Sequence, residues 1–184
     1  MRDALAAVLL TAVLSWGQAY RAQPGGPLPS ELSETVREAL EVQGVRVVDA
    51  RGYRFCEVWL RAEPMEAGSL GELLERDAIP QGVLVGVVVF HSPSADRYGR
   101  GLPRGVYTLR FVGEDSVALL PAAADRELEP PGDWAALRKG LLSFTKAPGG
   151  ATPRFEMNRR GEWILHLRAG ETPIALLVAG VAGR

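Results

Sequence analysis

The chain has 184 residues, of which 47% are hydrophobic and 23% charged, and its formal net charge at pH 7 is −1. A chain of this length can bury the core of one domain and is short for two. The near-zero charge excludes the strong positive field that gathers nucleic acid, so we predict no nucleic-acid partner. Cys56 is the single cysteine, which excludes an internal disulfide and a zinc site built from several thiolates.

The first 19 residues have the pattern of an export signal. Arg2 supplies a positive start, residues 4–14 form an apolar run, and Gly17, Gln18 and Ala19 offer small residues for cleavage. The apolar run is shorter than the roughly 20 residues that span a bilayer, so we predict no membrane span after cleavage. A buried N-terminal helix is the alternative. The predicted organisation is a signal peptide at 1–19, a flexible leader at 20–29 and a single periplasmic or secreted domain at 30–184.

After the leader, the sequence predicts one helix and then a β-hairpin. The helix covers residues 30–43, with Ser30 as its N-cap and Gly44 as its end. The hairpin pairs strands at 45–49 and 53–61. Its second strand has Cys56, Val58 and Leu60 on one face and Phe55 and Trp59 on the other. Because neither face is polar, we expect the core on one side and the N-terminal helix or a loop on the other.

A short helix at 70–77 leads into the continuous apolar run 82–90, which predicts a strand buried on both faces. The next strand opens at Pro103 and has Tyr107, Leu109 and Phe111 on its core face.

The remaining predicted strands lie at 116–120, 154–157, 162–168 and 173–179. Between the first two, Asp133 caps a helix with Trp134, Leu137 and Leu141 in one apolar stripe. Eight strands in all, without sustained alternation of strand and helix, predict an antiparallel β-sandwich of about seven or eight strands with two or three short peripheral helices.

The polar loop 91–102 contains the groups best suited to chemistry. His91 ends the apolar strand, and it can act as a general base with Asp96 and Tyr98 nearby. A serine of the same loop would complete a triad, but neighbours on one loop rarely reach that geometry. The chain also has no Gly-x-Ser-x-Gly elbow. No metal and no cofactor are predicted, and His91, Asp96 and Tyr98 are the catalytic candidates of this loop.

Two arginines of the same loop could bind an anion. Arg97 and Arg100 have only one acidic neighbour, Asp96, so they are predicted to bind a small anionic ligand. A solvated surface loop is the competing interpretation. His166 and Cys56 are interpreted as structural, because neither has a placed catalytic partner.

The run from Pro103 to Phe111, followed by Ala118 to Ala122, resembles the strand opener of uncharacterised exported bacterial β-sandwich proteins and of transthyretin-like modules. The resemblance covers about twenty residues and implies a sandwich and export, with no catalytic residue. The favoured function is a non-catalytic binding or interaction module of the bacterial envelope, with an unknown protein or small molecule as partner. The alternatives are a small hydrolase or metal-dependent enzyme around His91, and a subunit of an envelope assembly with Phe55 and Trp59 exposed.

Overall fold

The computed structural model describes residues 20–128, 140–148, 153–157 and 162–178. The predicted signal peptide lies outside them, as do Asp133, Trp134 and Leu137 of the predicted helix. The described residues are mainly β, with two short helices, α1 at Glu34–Glu38 and α2 at Leu70–Glu75. The strands are β1 Tyr20–Pro24, β2 Val45–Asp49, β3 Arg54–Leu60, β4 Leu84–Phe90, β5 Ser94–Ala95, β6 Gly101–Leu102, β7 Gly105–Gly113, β8 Ser116–Pro121, β9 Leu141–Lys146, β10 Arg154–Met157, β11 Trp163–Ala169 and β12 Thr172–Val178.

Ten of these strands form one antiparallel sheet, in the order β1-β2-β3-β4-β7-β8-β9-β12-β11-β10. The sheet curls until its two edge strands lie side by side: the Tyr20 ring of β1 lies 5.6 Å from that of Phe155 in β10 and 4.8 Å from that of Trp163 in β11. The antiparallel, mainly β class is therefore confirmed. The two-layered sandwich is not observed, because a single nearly closed, barrel-like sheet wraps one core.

Two segments that the sequence did not assign to strands complete the sheet. Tyr20–Pro24, predicted as part of a flexible leader, pairs along its length with β2. Leu141, predicted in a helix, begins β9, which pairs with β8 and β12. The first helix is also shorter than predicted, and Ser33 rather than Ser30 caps it by accepting a hydrogen bond from the Val36 amide at 3.3 Å.

The interior is aromatic at one end and aliphatic at the other. Tyr20, Phe55, Phe90, Phe155 and Trp163 contact one another where β1 and β11 begin and β4 ends. At the opposite end α2 buries its leucines against the sheet. A capping box starts this helix: Ser69 accepts from the Glu72 amide while the Glu72 carboxylate accepts from the Ser69 amide. The aromatic cluster at one end and the leucines of α2 at the other therefore both contribute to the interior core.

A second apolar cluster covers the outer face of β3, β4 and β7. Trp59, Leu84 and Val87 pack there against Val36 and Leu40 of the α1 segment. This confirms that β3 and β4 are buried on both faces. Phe55 departs from the predicted alternation, because a bulge leaves it without a partner in β2: Val47 pairs with Cys56 and Val48 with Arg54. Its ring points into the interior aromatic cluster instead of lying beside Trp59.

On the outer face of β7 a buried ion pair holds the following segment. Arg110 is fully buried and donates two hydrogen bonds to Asp125, both at 2.7 Å. Thr108 also donates to Asp125, and Arg110 donates to the Gly82 carbonyl at 2.6 Å. The inward face of the same strand has Tyr107 and Leu109 buried and Phe111 packed against the core, as predicted.

In the described part of the chain, neither helix approaches the length and apolar character needed to cross a membrane.

Candidate functional site

The predicted loop 91–102 is a small hairpin of β5 and β6 whose tip is organised by Asp96. The Asp96 carboxylate is buried and accepts hydrogen bonds from the amides of Tyr98 and Arg100, both at 2.9 Å, and from the Arg100 guanidinium. Burial alone would raise the pKa of Asp96, but the hydrogen bonds from Arg100 and Tyr98 outweigh it and lower the pKa. Asp96 therefore shapes the loop.

His91 lies elsewhere, beside a buried carboxylate of β3. Its Nε2 is 2.9 Å from a Glu57 carboxylate oxygen, whereas the Asp96 carboxylate is hydrogen-bonded to Tyr98 and Arg100. Glu57 also accepts from the Gly26 amide at 2.8 Å and lies 3.0 Å from Arg46 Nε. Burial would raise the pKa of Glu57, but these groups lower it. The structure thus brings His91 to Glu57 and Arg46, in a cluster that fastens the 24–28 segment to the sheet.

The remaining loop candidates form an exposed surface group. Tyr98 is 61% exposed, and the guanidinium carbons of Arg97 and Arg100 lie 5.1 and 5.4 Å from the centre of its ring. Arg97 is tied to Ser116, and its amide donates to the Leu141 carbonyl at 2.9 Å. The hairpin therefore presents two arginines around one exposed tyrosine.

The other sequence candidates have structural surroundings. Cys56 is fully buried, and burial raises the pKa of its thiol, so it remains a neutral core side chain. His166 Nε2 lies 2.9 Å from the Glu156 carboxylate on the neighbouring strand. Phe55 and Trp59 are 4% and 2% exposed and form no apolar surface patch.

A cleft that sequence reasoning missed opens between the two edge strands of the sheet. It has a volume of about 390 Å³ and lies at the aliphatic end, away from the aromatic cluster that closes the seam. Its walls are mostly apolar, and its floor includes the core residues Val58, Leu60 and Leu167. We call it the seam cleft; it is lined by Ala22, Gln23, Pro24, Glu41, Gln43, Gly44, Val45, Val58, Leu60, Pro153, Leu167, Arg168 and Gly170.

Close backbone packing shapes one wall of the seam cleft. The Gly25 amide donates to the Gly44 carbonyl at 2.7 Å, and a Cβ on Gly25 would lie 2.9 Å from the Gly44 carbonyl carbon. A Cβ on Gly44 would lie 2.6 Å from the Trp59 indole nitrogen and 2.7 Å from the Val58 carbonyl oxygen. Both positions therefore require glycine, and together they hold the end of β1 close to the start of β2.

Among the described residues that line the cleft, Glu41 and Arg168 are charged, and only Arg168 has a hydrogen-bonding or salt-bridge partner for its side chain in that part of the chain. Arg168 donates to the carbonyls of Gly170 and Glu171, at 3.3 and 2.7 Å, and to the Glu171 carboxylate. The Glu41 amide donates to the Leu60 carbonyl at 2.9 Å, but its carboxylate has no hydrogen bond or ion pair among the described residues. Burial raises the pKa of Glu41. The seam cleft thus combines apolar walls with one desolvated acid.

The lining residues come from five separated parts of the sequence and individually look ordinary, so no local pattern could have found the cleft. Glu41, inside a predicted helix, is the clearest example. The chain matches no known family model, no curated protein and no solved structure. Its function is therefore inferred from its own geometry.

Proposed function

We propose that this protein is a non-catalytic binding module that holds a small, mainly apolar molecule in the seam cleft. The observation that carries the proposal is the cleft itself, in which core side chains of β3 and β11 form the floor of a concave surface. Ligand sites typically have volumes of about 300–1,000 Å³, apolar walls and a few polar groups, and the seam cleft fits each feature.

The edges of the cleft favour a small molecule over an added peptide strand. Pro24 ends β1, and Pro153 precedes β10, on the two sides of the opening. Proline has no backbone N–H to donate to a neighbouring strand, and prolines at sheet edges hinder strand addition. A ligand that binds through apolar contacts does not need these backbone donors, so the two prolines do not weaken its binding.

The positions of the acidic side chains also favour binding over catalysis. Glu57 and Asp96 are occupied by hydrogen bonds that keep loops in place, and the described residues at the cleft walls include a carboxylate but no histidine or nucleophile. General acid–base catalysis requires a base within hydrogen-bonding reach of a second reacting group. The walls of the seam cleft supply contact area and a single acid.

The test uses the neutral fluorescent probe N-phenyl-1-naphthylamine with the matched variants Ala22→Phe and Ala175→Phe. Ala22 is partly buried against the core and lines the cleft, so its phenylalanine should fill the cleft. Ala175 has similar exposure but lies on the outward side of β12. We expect saturable one-to-one binding to the parent and to Ala175→Phe, and at least about tenfold weaker binding to Ala22→Phe, which corresponds to 1.4 kcal/mol. Equal binding by all three would reject the cleft as the site.

We further propose that the protein is exported, with cleavage after Ala19 and residence in the periplasm or outside the cell. The pattern of residues 1–19 supports this proposal. The start of β1 favours that cleavage point over one after Ala22, because Tyr20 and Arg21 belong to the strand and the Tyr20 ring contacts Phe55.

Intact-mass measurement on protein from the native host tests the export proposal. A mature chain that begins at Tyr20 is expected. A cytoplasmic protein that retains residues 1–19 would overturn the proposal. A chain that begins at Gln23 would retain export but contradict the cleavage point.

A further inference from the structure

We propose that the natural ligand of the seam cleft carries a positively charged amine next to its apolar body, and that the Glu41 carboxylate binds this amine. The inference depends on the proposed function, because it assigns a chemical class to the ligand of the same cleft. It follows from the charges that line the cleft and from the partners that they already have.

The position of Glu41 is fixed by its backbone. Leu40 forms a bridge with Arg61, and the Glu41 amide donates to the Leu60 carbonyl at 2.9 Å, so the chain at Glu41 is held against the end of β3. Glu41 is one of the residues that line the cleft, together with Leu60 and Val58. The backbone that carries the acid is therefore held in place, which lowers the entropic cost of a ligand contact at this position.

The second charge on the walls is already compensated. Arg168 directs its guanidinium to the turn after β11, where it donates to two carbonyls and to the Glu171 carboxylate. An anionic ligand would have to compete with these three acceptors. Glu41 forms no salt bridge with any of the described residues, and partial burial, which raises its pKa, disfavours its charged form when no cation is bound. A cation that enters the cleft gains the ion pair without breaking another.

The neighbouring polar groups strengthen the choice of an amine over a metal ion. Gln23 and Gln43 line the same cleft and have side-chain carbonyl oxygens that can accept hydrogen bonds from an ammonium group. A divalent cation requires several oxygen ligands, usually with more than one carboxylate. One carboxylate among apolar walls matches an amine with a hydrocarbon body.

The test compares n-octylamine, n-octanol and n-octanoate, which share a chain and differ in head-group charge, by isothermal titration calorimetry at pH 7. The variants are Glu41→Gln, which removes the charge at nearly constant size, and Glu38→Gln as a control on the exposed face of α1, outside the cleft. A hydrogen bond between two charged groups is stronger than one to a neutral hydroxyl, so we expect octylamine to bind at least about tenfold more tightly than octanol.

Glu41→Gln should remove that advantage and change octanol affinity less than about twofold, while Glu38→Gln should behave like the parent. If octanol binds the parent as tightly as octylamine, if octanoate binds most tightly, or if Glu41→Gln leaves octylamine affinity unchanged, the amine assignment is wrong and the cleft remains a site for neutral or anionic ligands. If none of the three probes binds, both the amine assignment and the proposed binding function are overturned.

Discussion

Replacing Tyr107 with alanine tests whether the inward face of β7 stabilises the fold as its packing indicates. Tyr107 is 9% exposed, its ring lies 6.1 Å from that of Phe90 in an edge-to-face contact, and its hydroxyl donates to the Pro103 carbonyl at 2.9 Å. Removing a buried aromatic ring typically costs about 3–5 kcal/mol through lost burial and the remaining cavity. Removing only the hydroxyl costs about 0.5–1.5 kcal/mol. We therefore expect the free energy of unfolding to fall by about 3–5 kcal/mol in Tyr107→Ala and by about 0.5–1.5 kcal/mol in Tyr107→Phe.

The free energy of unfolding is measured by urea denaturation, followed by tryptophan fluorescence, since Trp59 and Trp163 are packed in the two apolar clusters. Tyr53→Ala is the matched control, because Tyr53 is 69% exposed and a surface substitution changes stability by less than about 0.5 kcal/mol. If Tyr107→Ala costs less than about 1 kcal/mol, the ring contributes little packing and the inward face is assigned wrongly.

Three further predictions concern charged groups. Asp125→Asn removes one charge of the buried pair with Arg110 and should cost about 3–5 kcal/mol in urea denaturation; a loss below about 1 kcal/mol would contradict the role of the pair. Glu57→Gln should lower the melting temperature at pH 7. Because the folded pKa of Glu57 is lowered, the deficit should shrink as the pH falls below its ordinary value of 4.5, and a deficit independent of pH would refute the linkage. Glu41 has a raised folded pKa, so its charged form is penalised at neutral pH. Glu41→Gln should therefore raise the melting temperature at pH 7 and match the parent well below pH 4.5; equal melting at pH 7 would contradict burial of the acid.

Part of the candidate site can be predicted locally, and the rest depends on distant partners. The loop after β4 was recognisable from its composition, and its hairpin tip is organised by contacts within five residues, from Asp96 to Arg100. The partner of His91 is Glu57, 34 residues away, so sequence proximity suggested Asp96 instead. The seam cleft has no local signal, because Ala22, Glu41 and Leu167 meet only when the sheet curls.

Local sequence patterns were enough to predict eight of the strands, the inward face of β7 and the burial of β4 on both faces. These features follow from alternation and turn residues, which act over a few neighbouring residues. The curling of the sheet into a single nearly closed layer could not be predicted in this way, because it depends on contacts between strands that are far apart in the sequence. The Tyr20 ring of β1 packs across the seam on Phe155 and Trp163. The β1 segment itself has weak β propensity, so its own sequence did not predict a strand. Phe55 turns inward because a bulge interrupts its alternation, and the cleft exists because the edge strands separate beyond the aromatic cluster. Each of these depends on long-range packing between segments whose own sequences permit several structures.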